Sequence, residues 1–317
     1  MNYRRCGKSG VLLPELSLGL WQNFGAESNL TVCKNIIARC LDSGICHFDL
    51  ANNYGPPPGS AESCFGQLLA KHFANKRDEM FISTKAGHLM WEGPYGDWGS
   101  RKHLLASLDQ SLSRMGLDYV DVFYSHRPDP DTPIEETVGA LVHAVRSGKA
   151  LYVGLSKYPP KLFRKAVALL KEEKVPCLLH QFRYNLLDRA PEEKVIPALA
   201  KENMGSIVFS PLAQGQLTGK YVLGNIPRGS RAQRANCPFL NSDQVQDNNA
   251  RILVLQQLAK EAGMSLTHLA IRWLLQKPEI TSVLVGVRTV AQLDDCIASI
   301  GQEPLDEALL NLIAALH

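Results

Sequence analysis

Asp49, Tyr54, Lys85 and His126 place a carboxylate, a phenol, an amine and an imidazole in the first half of this chain. Together they could make a proton donor. A phenol by itself ionises only near pH about 10, but a buried ammonium beside it favours phenolate and is expected to bring that value toward working pH. Lys85 could supply the ammonium, Asp49 could hold it by an ion pair, and His126 could orient the carbonyl oxygen that Tyr54 protonates. Taken singly, each residue has a plainer use: Asp49 as a turn cap, Tyr54 before Gly55 as a turn aromatic, and Lys85 as a solvated side chain. A lysine at a strand end could also form a Schiff base, which is aldolase chemistry. The choice depends on whether the fold brings the four side chains to one place.

The elements that must do this can be counted. Short β-rich runs occur at Leu16–Leu18, His47–Asp49, Met80–Lys85, Val120–Ser125, Ala150–Leu155, Leu178–Gln181, Ser206–Ser210 and Ser282–Gly286. Several of them, such as MFISTK, VDVFYS and SIVFS, are nearly continuous apolar runs, as strands covered on both faces should be. Between them lie amphipathic stretches. Cys33, Ile36, Ile37, Cys40 and Leu41 recur at helical spacing, with Gly44 as the C′ residue. Thr132, Pro133 and Glu135 form an expected capping box, as do Thr289 and Gln292. Repeated strand–helix order demands parallel neighbours and right-handed crossovers. Eight such units predict an α/β fold, a (β/α)8 TIM barrel, spanning residues 1–317 as a single domain. Three segments interrupt the rhythm: a hairpin over Tyr3–Leu13, an aromatic loop over His88–Ser100, and a long irregular loop over Ala213–Asn248. Asp306–His317 is expected to form a last helix.

In a barrel the residues at the strand ends converge on one rim, and the loops that follow them stand over it. Asp49, Tyr54, Lys85 and His126 would meet there with Ser156, Gln181, Ser210 and Gly286.

These residues carry a family resemblance. GICHFDLANNYG (Gly44–Gly55), Lys85 closing MFISTK and His126 in YSHRP are similar to the catalytic Asp, Tyr, Lys and His of the aldo-keto reductase superfamily. VGLSKY, HQFRYN, SPLAQGQLTGKY, GSRA and SVLVGVRTVAQLDD extend the likeness along nearly the whole chain. Within the superfamily, YGPPPGSAES, KAGHLMWEGPYGDWGSR and SHRPDPDTPIEET resemble the branch of bacterial L-glyceraldehyde 3-phosphate reductases and potassium-channel β subunits.

The resemblance implies NADPH-dependent reduction of a small aldehyde such as L-glyceraldehyde 3-phosphate or methylglyoxal, with Tyr54 as the proton donor. It implies that Ser156 and Gln181 bind the nicotinamide carboxamide, with Phe209 and Trp21 against the cofactor. Ser210, Leu212, Gly215, Lys220 and Arg231 would line the pyrophosphate, under the loop Ala213–Asn248. Gly286, Arg288, Gln292 and Asp295 would bind the adenosine end. A helix beginning near Thr289 points unsatisfied N–H groups and a positive dipole end at a phosphate there, and Arg288 suits a 2′-phosphate, which favours NADPH over NADH. Trp21, Tyr54, Trp91, Trp98, His126 and Arg127 would form the substrate pocket, although the aromatics of His88–Ser100 could equally pack that loop onto the barrel. Departures from the family pattern fall at Leu50, Cys46, His47, Lys157 and Arg288, outside the four catalytic positions. A nucleotide-sensing regulatory subunit is the other function the resemblance allows, and relatives on this branch imply a homo-oligomer.

Other classes are disfavoured. The net charge is +3 with no basic run, so nucleic acid is not an expected partner. No stretch of 18 apolar residues and no apolar leader occurs, so the expectation is a cytoplasmic protein without a membrane anchor. The eight cysteines form no CxxC pair and are read as reduced thiols, and no metal site is expected. No GxGxxG follows any strand, so a nicotinamide would have to bind in the barrel manner, and GQLTGKY has one residue too few between its glycines for a P-loop.

Overall fold

A computed structural model describes residues 1–222, 226–227, 230–233, 240 and 242–316, without the side chains of Arg231 and Ser242. All eight expected strands are present, with ends within two residues of the expected ones. They are β3 (Leu16–Gly19), β4 (His47–Asp49), β5 (Phe81–Ala86), β6 (Val120–Ser125), β7 (Ala150–Ser156), β8 (Cys177–Arg183), β9 (Gly205–Phe209) and β10 (Ser282–Val285). They close into a parallel barrel in the order β10-β3-β4-β5-β6-β7-β8-β9. The fold is thus the expected TIM barrel. The hairpin ahead of it pairs β1 (Tyr3–Arg5) with β2 (Leu12–Pro14).

Strand alternation sorts the side chains. In β4, Phe48 points outward to within 5.7 Å of the Phe65 ring, while His47 and Asp49 point the other way, into the barrel. The helices α1 (Leu30–Asp42), α2 (Ser60–Leu68), α3 (Arg101–Met115), α4 (Ile134–Arg146), α5 (Pro160–Glu172) and α6 (Pro191–Glu202) each connect consecutive strands. The α1 stripe Cys33, Ile36, Ile37 and Cys40 is buried as its spacing requires, and Gly44 after it takes a left-handed φ of 85°. The hairpin seals the barrel floor: Cys6 and Leu13 pack with Leu179, Ile207 and Leu284. Arg4 clamps the same end, donating to the carbonyls of Leu275 at 2.6 Å and Ile280 at 2.9 Å.

Two local expectations are corrected. The capping box at Thr132 does not form, because Asp129 takes the N–H groups of Asp131 and Thr132 at 2.9 and 3.1 Å. Pro133 then occupies the N-cap position and α4 begins at Ile134. At Thr289 one half of the box forms: its side chain accepts from the Gln292 N–H at the start of α9 (Val290–Ala298), while the Gln292 side chain accepts from the Arg288 N–H rather than that of Thr289. The irregular stretch after β9 is also shorter than expected, since α7 (Ser242–Glu261) begins inside it. Val245, Ile252, Leu255 and Ala259 are the buried face of α7, a stripe too sparse at its polar start to be read from sequence. The connection continues through α8 (Leu266–Leu275), and α10 (Glu307–Ala314), capped by Asp306, ends the described chain.

One glycine shapes the barrel interior. Gly154 of β7 pairs with Tyr124 of β6, next to a register shift in the pairing of β7 with β8, and a Cβ on it would lie 2.3 Å from the Tyr124 ring. Tyr124 can lie across the strand only because that side chain is missing. Gly154→Ala should therefore destabilise the fold by about 1–3 kcal/mol, the usual range for overpacking, as read by urea denaturation.

Burial also fixes an acid limit. His180 lies between Phe163 and Phe182, with ring centroids 4.9 and 5.5 Å away and neither nitrogen partnered. Its burial lowers the pKa to about 3, and burial likewise brings His47 to about 4. Unfolded histidine titrates near about 6.5, so below that pH the unfolded chain takes up protons that the fold refuses. Stability should be full above that value and fall as pH drops toward 4. His180→Phe should flatten the fall, measured as unfolding midpoints across the acid range.

Candidate active site

Four side chains meet at the C-terminal rim of the barrel. Register places Asp49 beside Ser83, Lys85 beside Tyr124, and Ser156 beside Gln181. The ladder runs on past the strand ends: the Asn52 N–H donates to the Lys85 carbonyl and the His126 N–H to the Ala86 carbonyl, each at 2.9 Å. Asp49 and Lys85 are fully buried, with Lys85 Nζ 2.5 Å from Asp49 Oδ2 and 2.7 Å from the Leu50 carbonyl. Tyr54 comes from the loop between β4 and α2, its ring centroid 5.0 Å from Lys85 Nζ. The His126 ring meets the Tyr54 ring edge-on at 5.8 Å. The four predicted residues are therefore neighbours.

Their electrostatics differ from expectation in one respect. The Tyr54 phenol is held well above its ordinary pKa, by burial first and by the Asp49 charge second. Lys85 does not bring it down. Burial lowers the lysine itself, against the pull of Asp49, and at the phenol burial and the Asp49 carboxylate prevail. His126 lies well below the ordinary histidine value because it is buried and faces the cations Lys157, Lys85 and Arg127. The site at rest holds a protonated phenol and a neutral imidazole.

Beneath the ion pair runs a buried hydrogen-bond chain through four strands. Ser282 Oγ meets Ser17 Oγ at 2.6 Å, Ser17 meets His47 Nδ1 at 2.8 Å, His47 Nε2 meets Ser83 Oγ at 3.0 Å, and Ser83 donates to Asp49 Oδ1 at 2.7 Å. A carboxylate can only accept. Ser83 must then accept from His47 Nε2–H, and the neutral imidazole must accept at Nδ1 from Ser17. The charge on Asp49 thus orients every proton in the chain, and Gln181 Nε2 adds a second donor to Asp49 Oδ1 at 3.0 Å.

Residues 15–317 match the model of the aldo/keto reductase family. The chain belongs to that family. It is 53% identical over 304 residues, 95% of this chain and 88% of the relative, to L-glyceraldehyde 3-phosphate reductase of Escherichia coli strain K12. It is also 36% identical over 310 residues, 96% of this chain and 93% of the relative, to a probable voltage-gated potassium channel subunit beta of Oryza sativa subsp. japonica. A relative of the same printed name from Arabidopsis thaliana matches at the same identity and coverage. The protein is an oxidoreductase.

Around the rim of this aldo/keto reductase, Ser156 Oγ is buried with no hydrogen-bond partner among the described residues, whereas the Gln181 amide N–H is engaged by Asp49. Phe209 closes β9, and its ring centroid lies 5.9 Å from Lys157 Nζ. Ser210 follows at a positive φ of 56°, its hydroxyl accepting from Gln214. Leu212 precedes a tight turn in which Gly215 has φ 95° and a Cβ would lie 2.6 Å from Lys220 Nζ. The Arg231 side chain lies outside the described residues. At the start of α9, Gly286 and Arg288 are exposed, Gln292 Oε1 accepts from the Arg288 N–H, and Asp295 meets His268 at 3.1 Å. In the aromatic loop, Trp91 lies against His103 of α3, with centroids 5.0 Å apart. Trp98 carries the Arg127 guanidinium on its face at 3.6 Å, and Arg127 is paired with Asp97 at 2.6 Å. Trp21 follows β3, partly exposed. Among the described residues no cluster of three metal-ligating side chains occurs, and no helix is long and apolar enough to cross a membrane.

Sequence reasoning passed over Ser17, Ser83 and Ser282. Period-two alternation could have found Ser83, two residues before Lys85 on the same face of β5. Asn52, fully buried with both ends of its amide unpartnered among the described residues, had no signal in its type or spacing. The ion pair has a measurable consequence. Lys85→Met leaves the Asp49 carboxylate buried and uncompensated, which should cost about 3–5 kcal/mol. Adding Asp49→Asn should recover part of the loss in a double-mutant denaturation cycle.

Proposed function

We propose that this enzyme reduces a small aldehyde to the alcohol at the expense of NADPH, with Tyr54 as the general acid. L-glyceraldehyde 3-phosphate and methylglyoxal are the candidate substrates. The observation that carries the reading is the pairing of a phenol held protonated with a neutral imidazole, directly above a buried Asp49–Lys85 ion pair. Aldo/keto reductases generally use NADP(H), and the residues present fit that group. The Ser156 hydroxyl, orphaned among the described residues, stands beside Gln181 in the ladder, where a carboxamide could satisfy it. Gly215 leaves room beside Lys220 that a Cβ would fill, in the segment assigned to the pyrophosphate. Arg288, exposed before the α9 N-terminus, supports preference for a 2′-phosphate.

When bound, a reduced nicotinamide supplies a hydride to the carbonyl carbon. Ser156 and Gln181 would hold its carboxamide, and Phe209 and Trp21 would flank the ring. Tyr54 gives its proton to the carbonyl oxygen. The neutral His126 has an N–H to direct at the same oxygen, and its neutrality keeps it from competing as an acid. Lys85 faces the ring that becomes phenolate, so its charge counts for more once the proton has left than before. That difference favours the transition state over the ground state. Asp49, held by Ser83 and Gln181, keeps Lys85 in place throughout.

NADPH oxidation by the purified protein tests this with DL-glyceraldehyde 3-phosphate and methylglyoxal, with NADH as the control cofactor. Tyr54→Phe should bind NADPH and lose roughly a hundredfold or more in rate, the scale of general acid catalysis. Because the Tyr54 pKa is raised, its proton stays on through neutral pH. The wild-type reduction rate should therefore show no alkaline loss from this residue below about pH 9. Tight NADPH binding with no turnover on either aldehyde or on a wider panel would instead mark a nucleotide-sensing subunit.

A further inference from the structure

Lys157 stands at the mouth of the barrel as a cation with no counter-charge among the described residues, its pKa lowered to about 8 by partial burial and by the Lys85 and Arg127 charges. It follows Ser156 at the end of β7, tied to β8 by its N–H to the Gln181 carbonyl at 3.0 Å. Its backbone takes a φ of 61°, a left-handed conformation that is uncommon outside glycine and asparagine and that clusters at functional sites. Its one hydrogen-bond partner among the described residues is His88 Nε2, 3.5 Å from Nζ. His88 is neutral, lowered to about 4 by burial and by the charges of Lys157 and Arg127. Lys157 makes no ion pair with any described carboxylate. The His88 ring in turn packs edge-on against His126, with centroids 4.5 Å apart.

The other cation of this rim is differently placed. Arg127 donates to Asp97 and to the Gly87 carbonyl, each at 2.6 Å, and its guanidinium lies on Trp98. Its charge is already answered by Asp97 and two of its donors are taken, so it is poorly suited to hold a substrate phosphate. Lys157 retains ammonium protons beyond the one it gives His88, and it is exposed. With His88 between them, 3.5 Å from Lys157 Nζ and 4.5 Å between ring centroids from His126, Lys157 stands one ring away from the group that would orient a carbonyl.

We propose that Lys157, steadied by His88, is the anion-binding element of the substrate pocket and receives the phosphate monoester of a short aldehyde whose carbonyl sits at Tyr54 and His126. The proposal rests on the catalytic reading above and deepens it. It makes a three-carbon aldehyde phosphate the preferred class, because the phosphate must lie within a short reach of the carbonyl. Uncharged carbonyls such as methylglyoxal are then secondary. An ammonium hydrogen bond to a phosphate is worth enough to be seen kinetically.

The test compares DL-glyceraldehyde 3-phosphate with DL-glyceraldehyde, which differs only in lacking the phosphate, at saturating NADPH. Wild type, Lys157→Met and Lys157→Arg are used. Lys157→Met should lower kcat/KM for the phosphorylated aldehyde by roughly tenfold to a hundredfold more than for glyceraldehyde, mainly through KM. Lys157→Arg should restore most of the difference. Calorimetry on the NADP+-loaded protein should show glycerol 3-phosphate binding to wild type and Lys157→Arg at least about tenfold tighter than to Lys157→Met. Equal losses on both aldehydes, or a matching loss of NADPH affinity in Lys157→Met, would overturn the assignment in favour of a role toward the reacting centre or the cofactor. If wild type reduces neither aldehyde, the catalytic reading falls. Glycerol 3-phosphate binding that depends on Lys157 would still uphold the anion site, and its absence from wild type would overturn that site independently.

Discussion

The Asp49–Lys85 ion pair sits where a carboxylate and an ammonium have no water to solvate them, and it survives because the barrel surrounds it with donors and acceptors. Each charge would be costly alone in such surroundings, and the pair offsets that cost only if its remaining hydrogen-bond positions are filled. Most of them are filled. Leu50 offers its carbonyl to Lys85, while Ser83 and Gln181 donate to Asp49. The barrel interior beneath is correspondingly polar on one side, with Ser17, His47 and Ser282 continuing the chain across β3, β4 and β10. On the other side it is apolar, with Leu179, Ile207 and Leu284 packed on the hairpin.

That arrangement makes packing and chemistry interdependent. Tyr124 spreads its ring over Gly154 and stands 5.5 Å from Lys85 Nζ, so the missing Cβ on β7 shapes the surroundings of the lysine on β5. His47 must be neutral to donate to one serine and accept from another, and burial keeps it so. Burial that orients Asp49 at neutral pH is thus the same burial that exposes the fold to acid.

The rim is governed by charge in a different way. His126 and His88 are both kept neutral under the combined influence of burial and nearby cations, so neither adds a proton-dependent charge to the pocket near neutral pH. Arg127 is locked by Asp97 and Trp98 and serves to fix the aromatic loop. Lys157 alone, among the described rim cations Lys85, Arg127 and Lys157, keeps its charge without a carboxylate. Positive potential over the mouth of the barrel attracts anions, and it also opposes protonation of His126.

Much of this was legible without coordinates. The eight strands, their order between amphipathic helices, the four residues at strand ends and the Thr289 cap follow from periodicity and local chemistry, which act over a few residues and leave marks in the sequence. The family likeness added roles for positions such as Ser156 and Phe209, which composition alone would not single out. What the tertiary structure decided depends on distance between segments far apart in the chain. Ser282 and Ser17 touch only because β10 closes the barrel against β3. The Tyr54 pKa rises rather than falls because burial and the Asp49 charge act on the phenol directly, a balance set by separations of a few ångströms. The same holds for Lys157 and Arg127: residue type makes them equivalent cations, and only their neighbours in space show that one is already paired.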